Sequence, residues 1–243
     1  MDAVYMNGSE SKLDDWELRY SLRSLEKNYK NLERVWIIGH LPKWAKAITH
    51  VAQGDPYLKN KDANLISKIV RLGYESSLSE KFIMMSDDHY FLQPSWDSDI
   101  KPYFNKDMSE MKKSDFANNK WAQRLWRTKD ILAKNGYPQR DYEGHIPYVL
   151  EKSKLHTYLN FDYGYDIGYC VFSLYFNTVD TSEIAHINEG KIRAGFYGKF
   201  PNTETMIKKI QECRYLNFND NSFSPEMKEA VEKMFPKKSK YEK

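Results

Sequence analysis

The chain has 243 residues, 41% hydrophobic, 15% aromatic and 29% charged, with a formal net charge of +3. This length fits one α/β domain, and the apolar content supports a real core, which excludes a disordered chain. The small positive charge does not by itself indicate nucleic-acid binding, but it suits a small anionic substrate. Cys170 and Cys213 lie in apolar stretches without metal-ligand spacing, so we expect reduced core cysteines and a cytoplasmic protein.

No run approaches the ~20 apolar residues of a membrane span, and the N-terminus lacks a basic n-region, so we expect neither a transmembrane segment nor a signal peptide. The first 90 residues alternate strands and helices, which is typical of a mostly parallel sheet. Strands are predicted over 2–6, 35–38 and 82–86, and helices over 16–29, with Asp14 as N-cap, and over 63–72.

The second half is less regular. Residues 93–150 combine four prolines with weak periodicity, and we interpret them as an inserted lid or acceptor lobe within a single domain of residues 1–243. Further helices are predicted over 169–176, 202–213 and 225–235, and a strand over 214–218. The basic residues 237–240 are expected to be frayed.

The strand at 82–86 ends in Asp87 and Asp88. In an open α/β sheet, ligands bind at the carboxyl ends of the strands. Two adjacent carboxylates there can seat Mg²⁺ or Mn²⁺, and the cation can hold a diphosphate. Three other apolar runs also end in polar, turn-prone residues, at 7–10, 39–40 and 219–221. The pattern predicts one shared active-site edge, with Asp87 and Asp88 both as metal ligands and as catalytic residues.

The turn after the first strand contains Asn7, Gly8 and Ser9. Gly8 permits a tight turn that presents backbone N–H groups to a nucleotide, and the alternative is an ordinary loop. Arg19 and Arg23 lie four residues apart, on one face of the first helix. They either contact donor phosphates or pair with nearby acids.

His145 is a candidate general base or phosphate-charge stabiliser because the ordinary pKa of histidine lies near neutrality, although a lone loop histidine is often structural. Asp220, between Asn219 and Asn221, is expected to complete the metal and catalytic site and the amides to contact the donor. The alternative is an Asx turn that caps the next helix.

Basic and aromatic residues interleave along one segment, at Lys120, Trp121, Arg124, Trp126, Arg127 and Lys129. The pattern favours an amphipathic helix with its tryptophans in the core. A patch that binds a sugar or polyanionic acceptor is the alternative.

Several of these segments, in order, resemble the Stealth family. The most specific matches are the helix at 16–27 and the strand with its aspartates at 82–88. The remaining matches are the turn at 4–10, the strand and turn at 35–44, His145-Ile146-Pro147, Asn219-Asp220-Asn221 and Met234-Phe235-Pro236. Stealth proteins transfer sugar phosphates from nucleotide sugars in capsule polysaccharide biosynthesis, and the lysosomal-enzyme N-acetylglucosamine-phosphotransferase belongs with them.

The resemblance implies a glycosyltransferase-A-like, Rossmann-like mixed sheet flanked by helices, and a metal-dependent transferase that uses a nucleoside-diphosphate sugar. It implies transfer of a sugar-1-phosphate to an acceptor hydroxyl. The chain is shorter than typical members, and the family's arginine is not evident after the His-x-Pro, which leaves transfer of the sugar itself open. The acceptor is a carbohydrate or another hydroxyl compound, and a modified nucleobase is not favoured. A non-catalytic carbohydrate or nucleic-acid binder is the third alternative.

Overall fold

The computed structural model describes residues 1–8, 11, 13–179, 186–187, 192–198 and 202–243. In these residues the elements follow in the order β1 (Asp2–Asn7), α1 (Trp16–Asn28), β2 (Val35–Gly39), β3 (Thr49–Val51), α2 (Lys61–Leu72), β4 (Lys81–Met85), β5 (Tyr90–Phe91), β6 (Tyr103–Phe104), α3 (Lys120–Lys134), β7 (Tyr148–Glu151), α4 (Val171–Thr178), β8 (His186–Ile187), β9 (Arg193–Phe196), α5 (Thr203–Gln211), β10 (Tyr215–Phe218) and α6 (Pro225–Met234). The alternation predicted for the first 90 residues is confirmed.

The main sheet has the strand order β3-β2-β1-β4-β7. Strands β1 to β4 are mutually parallel and β7 is antiparallel to β4, with Tyr148 opposite Met84. Strands β1, β2 and β4 are buried on both faces, as expected for the centre of a parallel sheet covered by helices. The carboxyl ends of β1, β2 and β4 therefore meet at one edge, and β7 begins at that same edge.

A second, three-stranded sheet has the order β5-β10-β9. Its strand β5 is antiparallel to β10, with Leu216 opposite Tyr90, and β9 is parallel to β10. Only residues 86–89 separate β4 from β5. This short connection places the second sheet beside the carboxyl edge of the first. A small parallel pair, β6 and β8, completes the strands of the described residues.

Helix α1 covers the main sheet because its apolar residues recur at helical spacing. Leu18, Leu22 and Leu25 are almost completely buried and belong to the same core cluster as β1, β2 and β4. A second cluster lies between β10 and helices α5 and α6, where Tyr90 stacks on Phe218 with ring centroids 5.5 Å apart. Cys170 and Cys213 are buried and free, as predicted.

Two local predictions are wrong. Helix α1 begins one residue after Asp15, which adopts a left-handed φ of 53°, and neither Asp14 nor Asp15 caps it through a side chain. Residues 237–240 are not frayed, because Ser239 is buried and the Lys240 amide donates to the Glu26 carboxylate at 3.0 Å. Glu242, two residues later, is buried as well.

The span 93–150 ends within β7, which belongs to the main sheet, and its role as an inserted lobe stays a prediction. None of the described helices is long and apolar enough to cross a bilayer.

Candidate active site

The connection between β4 and β5 carries Asp87 and Asp88 to the carboxyl edge of the main sheet. Its turn is closed by His89, whose Nδ1 accepts from the Ser86 amide at 3.2 Å. This bond makes the buried Nε2 of His89 the protonated nitrogen, and Nε2 has no hydrogen-bond partner in the described part of the chain. Asp88 also touches the second sheet, because the side-chain amide of Asn217 on β10 donates to its Oδ2 at 3.4 Å.

Five carboxylates converge on this turn. The Asp87 side chain reaches solvent, yet protein packed around the turn desolvates it, and together with the charges of Asp15 and Asp220 this raises its pKa. Burial and the charge of Asp87 raise the pKa of Asp88 to about 7. Burial and the charges of Asp87, Asp220 and Asp15 likewise raise the pKa of Glu17 to about 7. Repulsion of this kind is relieved when a cation joins the carboxylates.

The donor set suits a hard divalent cation, but it does not form a complete protein cage. No three His, Cys, Asp or Glu side chains of the described residues are in position to hold one ion. The role of Asp220 as a third ligand and catalytic residue beside Asp87 and Asp88 stays a prediction, and its charge is felt by Asp87. Magnesium is commonly held by one or two carboxylates together with substrate phosphates and water, and the Asp87–Asp88 pair fits that mode.

Cationic and neutral nitrogen groups form the other half of the site. His145 comes just before β7, which runs antiparallel to β4 and so delivers it to the same edge. The His145 side chain reaches solvent, yet protein packed around the ring desolvates it, and together with the nearby charges of Arg193 and Arg124 this lowers its pKa to about 4. Burial, together with the charges of His145 and Arg193, also holds the pKa of His89 well below its ordinary value. The imidazole of His145 is therefore neutral near pH 7.

Arg193 and Asn217 were missed from the sequence. Arg193 opens β9, and its Nη1 donates to the Oδ1 of Asn217 at 2.8 Å and to the hydroxyl of Tyr197. Asn217 is 1% exposed and joins Arg193 to Asp88. A polar residue inside the apolar run of β10 was a usable signal for Asn217, whereas nothing local marked Arg193 as a site residue.

The tip of β1 lies on the opposite side of β4 from β7. Asn7 is buried there, and its side-chain amide donates to the His40 carbonyl at 2.9 Å and to Asp15 at 3.5 Å. Its carbonyl accepts from Lys68 at 3.1 Å. Gly8 follows and is exposed at the edge. Ser9 lies outside the described residues, so its predicted role in donor binding stays a prediction.

The two arginines of α1 have different surroundings. Arg23 is buried, and its Nε and Nη2 each donate to a Glu242 carboxylate oxygen at 2.7 Å. This pairing is structural, so the prediction that Arg23 binds the donor is wrong. Arg19 stacks 4.7 Å from the Trp44 ring centroid, and its Nε finds no partner within the residues described.

The turn after β10 holds the remaining predicted residues. Asp220 and Asn221 are exposed, and Asn219 accepts from the Ser222 hydroxyl at 3.2 Å. The cap of α6 is Ser224, whose hydroxyl accepts from the Met227 amide at 3.2 Å, so the alternative of an Asx cap is not used. Donor contacts from Asn219 and Asn221 stay predictions.

Helix α3 is amphipathic, as predicted, but its tryptophans are not in the core. Trp121 is 38% exposed, and Trp126 is half-buried against Phe116. Trp121 lies in the first turn of the helix, beside the His145 ring.

Comparison with known proteins identifies the fold. No family model and no curated protein matches the chain. Among solved structures, the galactosyltransferase LgtC in complex with donor and acceptor sugar analogues is similar with a TM-score of 0.53, at 9% identity, over 99% of this chain and 98% of that one. Mouse xyloside xylosyltransferase 1 (TM-score 0.45, 8% identity, 92% and 100% covered) and the inositol-1-phosphate CTP transferase from T. maritima (0.47, 11%, 96% and 95%) are also similar. The similarity to LgtC shows that the chain has the predicted glycosyltransferase-A-like α/β fold.

Proposed function

We propose that this protein is a Stealth-like transferase that moves a sugar-1-phosphate from a nucleoside-diphosphate sugar to an acceptor hydroxyl. The observation that carries the proposal is the Asp87–Asp88 pair at the carboxyl edge of β4, opposed across Asn217 by Arg193. An acidic half that accepts a divalent cation and a basic half that accepts phosphate match a metal diphosphate. A cytoplasmic role in capsule polysaccharide synthesis belongs to the same proposal.

Each group has a defined task. Asp87 and Asp88 would hold Mg²⁺ or Mn²⁺, which supplies charge neutralisation at the diphosphate. Arg193 donates to a phosphate oxygen, and the exposed backbone at Gly8 faces the nucleotide. His145 takes the proton of the acceptor hydroxyl. At the same time the acceptor oxygen bonds to the phosphorus of the phosphate that is attached to the sugar. The phosphoanhydride bond breaks, and a nucleoside monophosphate leaves. Negative phosphate beside His145 raises its pKa toward neutrality, which suits a general base.

Transfer of the sugar itself is the second candidate, favoured by the fold shared with a galactosyltransferase. The same residues would bind the same donor. The acceptor oxygen would bond to the anomeric carbon, the bond from that carbon to the phosphate oxygen would break, and a nucleoside diphosphate would leave.

The test begins with melting temperature against a panel of nucleotides and nucleotide sugars, with and without Mg²⁺ or Mn²⁺. A ligand at ~100 times its Kd stabilises the folded state by about 2.7 kcal/mol. We expect a metal-dependent shift that is lost in Asp87→Asn and Asp88→Asn and kept in Asp166→Asn, the same change at an exposed loop position. Absence of any shift, or an equal shift in all variants, would favour a non-catalytic binder and overturn the proposal.

The donor identified in this way is then incubated with candidate acceptors, and the nucleotide product is resolved by chromatography. A nucleoside monophosphate supports sugar-phosphate transfer, and a nucleoside diphosphate supports sugar transfer. The assay separates the two candidates because they break different bonds of one donor.

A further inference from the structure

Two aromatic rings meet His145 from different parts of the fold. The ring centroid of Trp121, on α3, lies 6.5 Å from that of His145, and the ring of Tyr197, one residue after β9, lies 6.3 Å from it. The histidine that faces the basic half of the site therefore has an aromatic neighbour from each of two elements.

Both rings stay accessible. Trp121 is 38% exposed and Tyr197 is 48% exposed. A single exposed aromatic residue on a surface needs no explanation, but ligand sites typically gather aromatic side chains around a few convergent polar groups. Trp121, Tyr197 and His145 form such a group, and we call them the aromatic cradle.

The cradle is held in place without a ligand. The Arg124 guanidinium lies 5.2 Å from the Trp121 ring centroid and is itself fixed by Asp62, whose two oxygens are 2.7 and 2.6 Å from its Nη1. Arg193 lies 5.4 Å from the Tyr197 centroid and donates to the Tyr197 hydroxyl. Rings held in this way lose little freedom on binding, which favours affinity.

The position of the cradle separates it from the nucleoside side of the edge. The main sheet runs β2-β1-β4-β7, so Asn7 and Gly8 at the tip of β1 lie on one side of Asp87 and Asp88. His145 precedes β7 on the other side. A donor whose diphosphate occupies the aspartate pair and whose nucleoside lies over β1 keeps its own sugar beside that pair. The cradle lies beyond the pair, at His145, and is left for the second substrate.

The geometry points to the aromatic cradle as the subsite for a neutral sugar ring of the acceptor, with the attacking hydroxyl at His145. The assignment rests on the proposed function. An apolar C–H face of a pyranose carries slightly positive hydrogens that match the negative face of an aromatic ring. A polyanionic acceptor fits less well, because Asp62 already neutralises Arg124 and Arg193 is assigned to the phosphates of the donor.

The test uses saturation-transfer NMR with a panel of methyl glycosides of gluco, galacto, manno and N-acetylated configuration. Each spectrum is recorded alone and with UDP, GDP or CDP, and Mg²⁺ is the only divalent cation added. The proteins are wild type, Trp121→Ala, Tyr197→Ala and Tyr197→Phe. Trp96→Ala is the matched control, since Trp96 is 48% exposed, like Tyr197. Trp96 follows Ser95, which forms a β-bridge with Tyr29 at the end of α1, away from the carboxyl edge of the main sheet. Melting curves with each nucleotide are recorded for every protein.

We expect at least one glycoside to bind wild type, Trp96→Ala and Tyr197→Phe, and to bind about tenfold more weakly to Trp121→Ala and Tyr197→Ala. Nucleotide-induced melting shifts should persist in all five proteins. Glycoside binding that ignores both ring deletions overturns the assignment, as does the absence of glycoside binding to wild type. A nucleotide shift lost in Trp121→Ala overturns it too, because the rings would then serve the nucleoside. Glycoside binding in a wild type that binds no nucleotide refutes the proposed function and leaves the subsite intact.

Discussion

Replacing Asp88 with asparagine should stabilise the ligand-free protein while disabling its site. The folded-state pKa of Asp88 is about 7, against an ordinary value of ~3.9. Between these values the folded chain binds more protons than the unfolded chain, so this group lowers stability as the pH rises from about 4 to about 7. Three pKa units at ~1.36 kcal/mol each set an upper bound of about 4 kcal/mol. Water in the open cleft and relaxation of the other acids reduce this, and we expect about 2 kcal/mol.

The amide keeps the shape of the side chain and loses its charge. At pH 8 we therefore expect Asp88→Asn to raise the free energy of unfolding by about 2 kcal/mol, which is a rise in melting temperature of roughly 4–8 °C for a chain of this size. At pH 5 the wild-type carboxyl is already protonated in the folded state, so the gain should fall to less than half. The measurement is urea and thermal denaturation at both pH values in EDTA.

Asp166→Asn gives the baseline for the same substitution at an exposed position. Destabilisation of Asp88→Asn at pH 8, or an equal gain at pH 5 and pH 8, would refute the reasoning, since the effect would then not arise from a repelled charge. A gain that also survives addition of Mg²⁺ and nucleoside diphosphate would show that the wild-type carboxylate contacts neither ligand.

Three further substitutions test separate parts of the structure. Glu242→Gln should lower the free energy of unfolding, measured by urea denaturation, by about 3 kcal/mol, because it leaves the buried Arg23 without its counter-charge. Loss of nucleotide binding at unchanged stability would contradict this structural role. Arg193→Met should weaken nucleoside-diphosphate binding by roughly 10–100-fold in calorimetry, the value of a hydrogen bond to a charged group, and an unchanged Kd would remove Arg193 from the donor site. His145→Gln should lower turnover by about 100-fold with donor affinity kept within threefold, and unchanged turnover would exclude it as the base.

The sheet and most helices were predictable because burial imposes periodicity. Strands β1, β2 and β4 are continuous apolar runs, and Leu18, Leu22 and Leu25 repeat at the spacing of one helix face. The end of the chain was not predictable in the same way. Residues 237–240 are charged and look solvated, but two residues later Glu242 finds a buried guanidinium 219 residues away. Local composition carries no information about such a pair.

The site was only half predictable for a related reason. Asp87 and Asp88 follow an apolar strand, and that position alone identifies the carboxyl edge. Arg23 shows the limit of helix spacing, since being four residues from Arg19 fixes a common face but not what lies opposite it. The contribution of β9, which brings Arg193 to the acids, depends on its pairing with β10, and no sequence pattern specifies that pairing.

Asn217 explains how acids and an arginine coexist without neutralising each other. In a direct ion pair, Arg193 and Asp88 would neutralise each other. The buried Asn217 amide instead accepts from Arg193 and donates to Asp88, which leaves both charged groups able to bind a ligand. In the proposed function, a cation on the aspartates would add positive charge beside Arg193 and would favour binding of a diphosphate. Linkage requires that the nucleotide tighten metal binding by the same factor. Calorimetric titration of each ligand with and without the other should therefore give equal coupling factors above one, and a factor of one in both directions would contradict this division of the site.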